Sequence, residues 1–415
     1  MPGNYADRLI ADRVVPDGAT VHVLAPSPVG ASSGHASPDA AIDAAGSVPS
    51  SRPDVALLVV VNDPDRATAT APVLRALRKR IGGRAMDVLV ATGSHRWTDA
   101  HRRAHEAPLV AAAGPTTRFL WHDGLDEAAH AVAGGSRIDR HVLDAHDIVA
   151  IGSVEPHWFA GLTGAHKTLT VGVLFRDDIE SNHRLALAPG SRPLALDGNP
   201  LHAALLPILA AVGDSRRVLA VQHVEDRWFA GAPLDALLAA ADAARGRWRK
   251  IVERPLDFVI THVEPPLSRT LYQAEKGVKL AEHAVRDGGA IVLDAACEDG
   301  VGPSRFVDLL RHAHDETAAR ALISRDGYRL GDHKAVRLRA LTDRGVKLAL
   351  LSPTFNPDTA RIAGFDVLRD HAQVRAWLAS HVAAGGRDGA GTARGADVEG
   401  AIVEDGGHVV LEVRA

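Results

Sequence analysis

Apolar runs of strand length alternate with stretches of helical period along most of the chain. The run 54–61 (DVALLVVV) reads as a buried strand, and over 71–80 the apolar positions Val73, Leu74 and Leu77 share one helical face. A second run, 86–92 (MDVLVAT), predicts another strand, and Thr98 is placed to cap a helix running through His105. This β-α-β-α order is the signature of a parallel sheet. The runs 147–152 and 217–222 predict further strands. A second series opens with LDFVITHV at 256–263, then a helix over 273–285, a strand at 290–296 and a helix after Ser304. It closes with a strand at 346–352 and a helix over 371–382, which predicts a domain change near residues 250–256.

The pattern predicts an α/β fold: two Rossmann-like α/β domains with a cleft between them. Residues 1–252 form an N-terminal cofactor-binding domain and residues 253–383 a C-terminal domain. Residues 384–398, rich in Gly and small polar residues, read as a flexible linker. Beyond it, two apolar runs flank Asp405-Gly406-Gly407 in the manner of a hairpin. Those strands, within 399–415, are expected to complete the sheet of the first domain. No internal repeat recurs at a fixed period.

Composition narrows the class. The length of 415 residues suits two domains, and 46% hydrophobic with 24% charged residues is ordinary for a chain that buries a core. A net charge of −4 leaves no electrostatic footprint for nucleic acid or an anionic membrane, and neither is expected as a partner. No apolar stretch approaches the length of a membrane span. The opening MPGNYADRLIADRVVPDG lacks the basic-then-apolar order of a secretory signal. Cys297 is the sole cysteine, which excludes an internal disulfide and a Cys-based zinc site, so a cytoplasmic setting is expected. The 22 histidines are numerous for this length, and imidazole is both a ligand for nickel, zinc and copper and an acid/base near neutral pH.

Four clusters carry candidate chemistry, each at a strand end or in a loop, where open α/β sheets bind ligands. In Asn62-Asp63-Pro64-Asp65-Arg66, Arg66 offers a planar fork of donors to a carboxylate or phosphate, and Asp63 can orient it or an imidazole. The plainer reading is a polar turn with a surface ion pair. In Thr92-Gly93-Ser94-His95-Arg96, Gly93 permits a sharp strand-to-helix turn whose N–H groups suit a phosphate, with His95 at the mouth; the plainer reading is a surface loop. The third cluster runs from Glu155 to Lys167 and combines His157, Trp158, Gly161, Thr163, Gly164, His166 and Lys167. A glycine-bearing loop followed by lysine cradles a phosphate or brings an amine to a cofactor, although the Walker A spacing is absent. Downstream, His183 reads equally as a ligand or as a helix-surface residue. In the fourth cluster Gln273 and Lys276 stand three apart, hence on one face of a helix start that is either solvated or turned to a substrate.

Together these clusters resemble lactate racemase and its relatives among the nickel-dependent 2-hydroxyacid racemases and epimerases. The resemblance covers about residues 55 to 355 in the family's order. The family's Asp-x-x-Arg pair is matched by Asp63 and Arg66, and its Thr-Gly-x-His-Arg turn by Thr92 to Arg96. Its Pro-His-x-x-Ala-Gly-x-(Ser/Thr)-Gly-x-x-Lys loop is matched from Pro156 to Lys167, its Asn-His by Asn182-His183, and its Gln-x-x-Lys by Gln273 and Lys276.

The resemblance implies a racemase or epimerase that inverts C2 of a 2-hydroxyacid through a nickel-pincer nucleotide, a pyridinium mononucleotide gripping nickel by one carbon and two sulfurs. Lys167 is implied as its covalent tether and His183 as the nitrogen ligand of nickel. Asp63, Thr92 and Gly93 are implied at the cofactor, with Thr92-Gly93 backbone at its phosphate. His95 and His157 are implied as the acid/bases on opposite faces of the substrate carbon, and Arg66, Gln273, Lys276 and His333 as substrate contacts. The implied chemistry removes the C2 hydrogen as hydride while one histidine takes the hydroxyl proton; a 2-ketoacid forms, and return on the opposite face inverts the centre. Maturation implies cofactor-biosynthesis proteins as partners. Three departures stand out: Asp65 where relatives often carry Thr, His166 beside the tether, and His333 aligned with the family's Trp. The last implies a larger or more polar hydroxyacid than lactate. Two other readings keep the fold: a metal-dependent hydrolase using His95, His157 and His183, and a non-catalytic nucleotide- or nickel-cofactor-binding protein. A dinucleotide dehydrogenase lacks its GxGxxG after a strand.

Overall fold

The structure, a computed structural model, describes residues 5–46, 48–50, 52–382 and 398–414. Among them, twelve strands build two six-stranded sheets. These are β1 (Thr20–Leu24), β2 (Leu57–Asn62), β3 (Met86–Ala91), β4 (Thr117–Trp121), β5 (Asp147–Ser153), β6 (Arg217–Val224), β7 (Arg227–Gly231), β8 (Leu256–His262), β9 (Val285–Asp294), β10 (Lys347–Leu351), β11 (Phe365–Leu368) and β12 (Glu399–Val403). The chain divides into two compact units, Pro28–Arg247 and Met1–Ser27 with Trp248–Ala415. Both are α/β with parallel sheets, as the alternation of periods predicts.

The unit Pro28–Arg247 holds the sheet β7-β6-β5-β2-β3-β4, parallel except for β7. β2 is a run of Leu and Val buried through Val61, the mark of a strand covered on both faces. Val73, Leu74 and Leu77 of the helix Thr70–Ile81 are fully buried and share a core with Val59, Val61, Val88 and Val90. That contact accounts for the helical period read from the sequence. Thr98 caps the helix Asp99–Ala113 by accepting from the His101 amide, as its position predicts. From β2 the chain steps through β3 to β4 on one side, while β5 lies on the other and leads to β6. The strand order therefore reverses between β2 and β5, and a crevice opens outside their carboxyl ends. At the opposite ends of these strands, Arg84 Nη2 lies 2.7 Å from the fully buried carboxylate of Asp147.

The second unit holds the sheet β1-β12-β8-β9-β10-β11, parallel throughout. Ala6 and Leu9 of the helix Tyr5–Ala11 and Val374 and Leu378 of the helix His371–Val382 pack on Phe258, Ile260, Val292 and Ile402. Three expectations change here. The first 27 residues belong to this unit, because β1 pairs with β12. The C-terminal strands form no hairpin and do not extend the first sheet: β12 lies between β1 and β8, and Val410–Val413 pairs in parallel with Arg249–Val252. All five residues of β12 are buried, which suits an interior strand, and the Gly406 amide donates to the His262 carbonyl at 2.7 Å instead of closing a turn. The helix expected over 273–285 is two short helices, Leu271–Ala274 and Lys276–Ala281, because β9 already begins at Val285, paired with Leu256. Of the linker 384–398, all but Val398 lies outside the described residues. Among the described residues no helix is long and apolar enough to cross a membrane.

Candidate active site

A cavity sits at the reversal point of the first sheet. The end of β2 contributes Asn62 and the loop after it Asp63 and Arg66; the loop after β3 contributes Thr92, Gly93, Ser94 and His95; the segment after β5 contributes His157, Thr163, Gly164 and Lys167. His183, on the helix Arg176–Arg184, completes the wall. The eight residues expected in this unit, spread over more than a hundred positions, thus line one space. The reason is topological: parallel strands put every β-to-α loop at the same end of the sheet.

His95 Nδ1 stands 2.7 Å from Asp63 Oδ2 and 3.6 Å from Asp65 Oδ2. Asp63 is buried, so its carboxylate backs the imidazole, a use different from the cofactor contact implied by the resemblance. The hydrogen bond to Asp63 raises the His95 pKa, against the opposing effect of burial. His157 sits on a two-strand ribbon, Pro156–His157 with Gly161–Leu162, and its Nδ1 accepts the Ala160 amide at 3.2 Å. Gly161 has φ +77°, and a Cβ there would lie 2.0 Å from the Ala195 carbonyl oxygen, so only glycine lets the ribbon close. Lys167 rides on the short helix Ala165–Thr168, which lies against β5. A Cβ on Gly152 would come within 2.5 Å of the Ala165 amide, so that glycine admits the lysine's helix to the sheet.

His183 Nδ1 donates to the Ile179 carbonyl at 2.9 Å, which fixes the tautomer and turns the lone pair to Nε2. Burial, helped by the charge of Lys167, pushes its pKa down to about 4. The ring is therefore neutral near pH 7, the form a metal requires. Among the described residues, no group of three or more His, Cys, Asp and Glu side chains gathers to hold a metal ion.

Thr92 and Gly93 line the cavity, yet the Thr92 hydroxyl and the Gly93 amide are committed. The Gly93 amide donates to the Gly172 carbonyl at 2.9 Å, and the Thr92 hydroxyl donates to the His122 carbonyl at 2.9 Å. The expected phosphate contact from the Gly93 amide is thereby corrected: that N–H ties two loops together. His166 points away from the cavity and is buried beside His202, ring centroids 5.5 Å apart. In the other unit Gln273 is exposed and Lys276 half-buried, and the helix break at Glu275 separates them. His333 is 2% exposed and its Nδ1 lies 2.7 Å from the Tyr328 hydroxyl, so it is an enclosed ring rather than an open wall.

Two residues escaped the sequence reading. Phe159 meets His157 edge-on at 4.4 Å and His183 at 5.5 Å, so one aromatic ring seats both imidazoles. His122 bonds Thr92 and stands 3.1 Å from His130, and burial pushes its pKa down to about 4. His122 follows β4 as Asp63 follows β2, and that strand-end position was the available signal.

Residues 42–193 match the lactate racemase N-terminal domain family and residues 252–327 the lactate racemase C-terminal domain family. A lactate racemase from Thermoanaerobacterium thermosaccharolyticum is 28% identical over 284 residues, 62% of this chain and 64% of that protein. One from Lactiplantibacillus plantarum is 26% identical over 263 residues, 59% of this chain and 60% of that protein. The matches thus span a little under two thirds of these curated relatives. The fold is shared with the lactate racemase apoprotein structure from T. thermosaccharolyticum, at TM-score 0.77 and 22% identity over 97% of this chain and 96% of that one. A Thermotoga maritima structural-genomics crystal structure aligns at TM-score 0.65 and 15% identity over 91% and 96% of the two chains.

Proposed function

The chain belongs to the lactate racemase family, and from that premise we propose that it is an isomerase that inverts C2 of a 2-hydroxyacid with a nickel-pincer nucleotide. The observation that carries this reading is the single cavity shared by two imidazoles, an arginine, a lysine and a neutral histidine. The residues fit the cofactor: His183 offers one nitrogen through Nε2, Lys167 an amine for the tether, and no competing donor cluster occurs among the described residues. When bound, the cofactor supplies a reversible acceptor for the C2 hydrogen, which is too weakly acidic to leave as a proton. Arg66 holds the substrate carboxylate in its fork of donors. His95 and His157 exchange protons with the substrate oxygen, and Asp63 steadies His95 as the charge on the ring changes. Cofactor-biosynthesis proteins are the partners this reading requires.

The first test is metal content and intact mass on protein from a host that makes the cofactor. Near one nickel per chain, with a mass increment lost in Lys167→Ala, is the expected result. No nickel and an unmodified mass, despite proven cofactor supply, would overturn the reading. Catalysis is separated from cofactor carriage by His95→Ala and His157→Ala. Each keeps its nickel and loses roughly 10²–10⁴-fold in the inversion of a 2-hydroxyacid. Unchanged turnover in both would overturn the two-histidine reading.

A further inference from the structure

The two imidazoles meet different surroundings. His95 turns Nδ1 to two carboxylates, Asp63 at 2.7 Å and Asp65 at 3.6 Å. A carboxylate only accepts, so Nδ1 carries hydrogen whether the ring is neutral or charged, and the charged ring gains most. Arg66 is the cation that opposes it, and Lys167 lines the same cavity. His157 turns Nδ1 to an amide: the Ala160 N–H donates to it at 3.2 Å. An amide N–H only donates, so Nδ1 is bare and the hydrogen of the neutral ring is on Nε2. A second proton on His157 would set two N–H groups face to face.

We propose that the two site histidines are unequal partners: the protein keeps its exchangeable proton on His95 and holds His157 neutral, with the hydrogen on Nε2. Inversion at C2 removes the hydroxyl proton on one side and restores a proton on the other. One imidazole must be ready to receive while the other is charged to give. Protons balance: one passes from the substrate oxygen to the receiving ring, one from the charged ring to the product oxygen, and the rings end with their states exchanged. His157 receives only after releasing the Ala160 amide. The two protonic forms therefore differ in energy, and each substrate configuration engages a different fraction of the protein. An enantiomer pair has an equilibrium constant of one, so its two kcat/KM values are equal, and the inequality appears as kcat and KM differing together.

This kinetic consequence rests on the racemase reading; the protonation states do not. They are tested first, by long-range ¹H–¹⁵N NMR of the full-length protein across pH 5–9, with His95→Gln and His157→Gln assigning the rings. The expected spectra show His157 in the neutral Nε2–H pattern near pH 7 and His95 losing its charge at higher pH than His157. Asp63→Asn lowers the His95 midpoint by about 1–3 units, and Asp65→Asn by less. His157 titrating at or above His95, or a His95 midpoint unmoved by Asp63→Asn, would overturn the proposal whatever the protein catalyses. In cofactor-loaded protein the kcat values of an enantiomer pair differ, and Asp65→Asn brings them closer. Equal kcat values across the pH range would overturn the kinetic consequence alone.

Discussion

At the scale of single residues, the depressed histidines make stability depend on pH. His122 and His183 are neutral in the fold, with pKa values pushed down to about 4 from an ordinary 6.5. Their contribution is fully present above about pH 6.5 and is lost as pH falls through the folded value, at up to about 1.4 kcal/mol per pH unit for each ring. Urea unfolding at pH 7.5, 6 and 5 is expected to show falling stability, with a shallower slope in His122→Asn. His95 has the opposite sign: its raised pKa favours the fold at low pH and ceases to do so as pH rises through the folded value. At the other end of the sheet, Asp147→Ala leaves the buried Arg84 charge with carbonyl partners and no carboxylate, and is expected to cost about 3–5 kcal/mol of unfolding free energy in urea titrations. The cavity-lining clusters were legible because Arg66, His95 and His157 stand shortly past apolar runs and Lys167 closes the glycine-bearing loop that follows the third. The sequence could not announce which atom faces which. The Asp63–His95 bond joins loops 32 positions apart, and the Ala160–His157 bond depends on how a ribbon folds back.

At the scale of elements, the loop carrying Lys167 depends on two glycines for reasons of space. Gly152→Ala forces β5 from the Ala165 backbone and is expected to destabilise by about 1–3 kcal/mol in denaturant unfolding. Gly161→Ala meets both a positive φ and a backbone oxygen, and its loss in thermal midpoint is expected to be larger. Period made most strands and long helices legible: β2, β3, β5, β6, β8 and β10 overlap the apolar runs, and the helix Thr70–Ile81 its amphipathic stretch. It misled at the ends of the second unit. The run after residue 398 looked like half a hairpin because a buried parallel strand and a hairpin strand are both short and apolar, and only the neighbours distinguish them. β1 has no buried residue, lies at a sheet edge and carries too few residues for its period to stand out.

At the scale of the molecule, Pro28–Arg247 is continuous in sequence and owns a complete sheet, a core and the whole cavity described above. Expressed alone, it is expected to unfold in one cooperative transition by circular dichroism. The second unit is assembled from both ends of the chain. Deleting residues 399–415 removes an interior strand and parts β1 from β8, so that unit is expected to lose its native hydrogen-exchange protection while Pro28–Arg247 keeps its own. A break near residue 250 was legible because a second strand–helix series begins there. Membership of the first 27 residues was not, since it depends on pairing across nearly the whole chain.

That pairing sets an order of events on the ribosome. β1 leaves the exit tunnel without a partner, because β12 is made after every other strand of the two sheets. The interposed unit can mature while synthesis continues, whereas the second sheet stays open until β12 emerges. Between those moments β1 and β8 present unpaired edges, the kind of surface that chaperones cover and neighbouring nascent chains can seize. Yield of folded protein is therefore set late, by the closing of one five-residue strand.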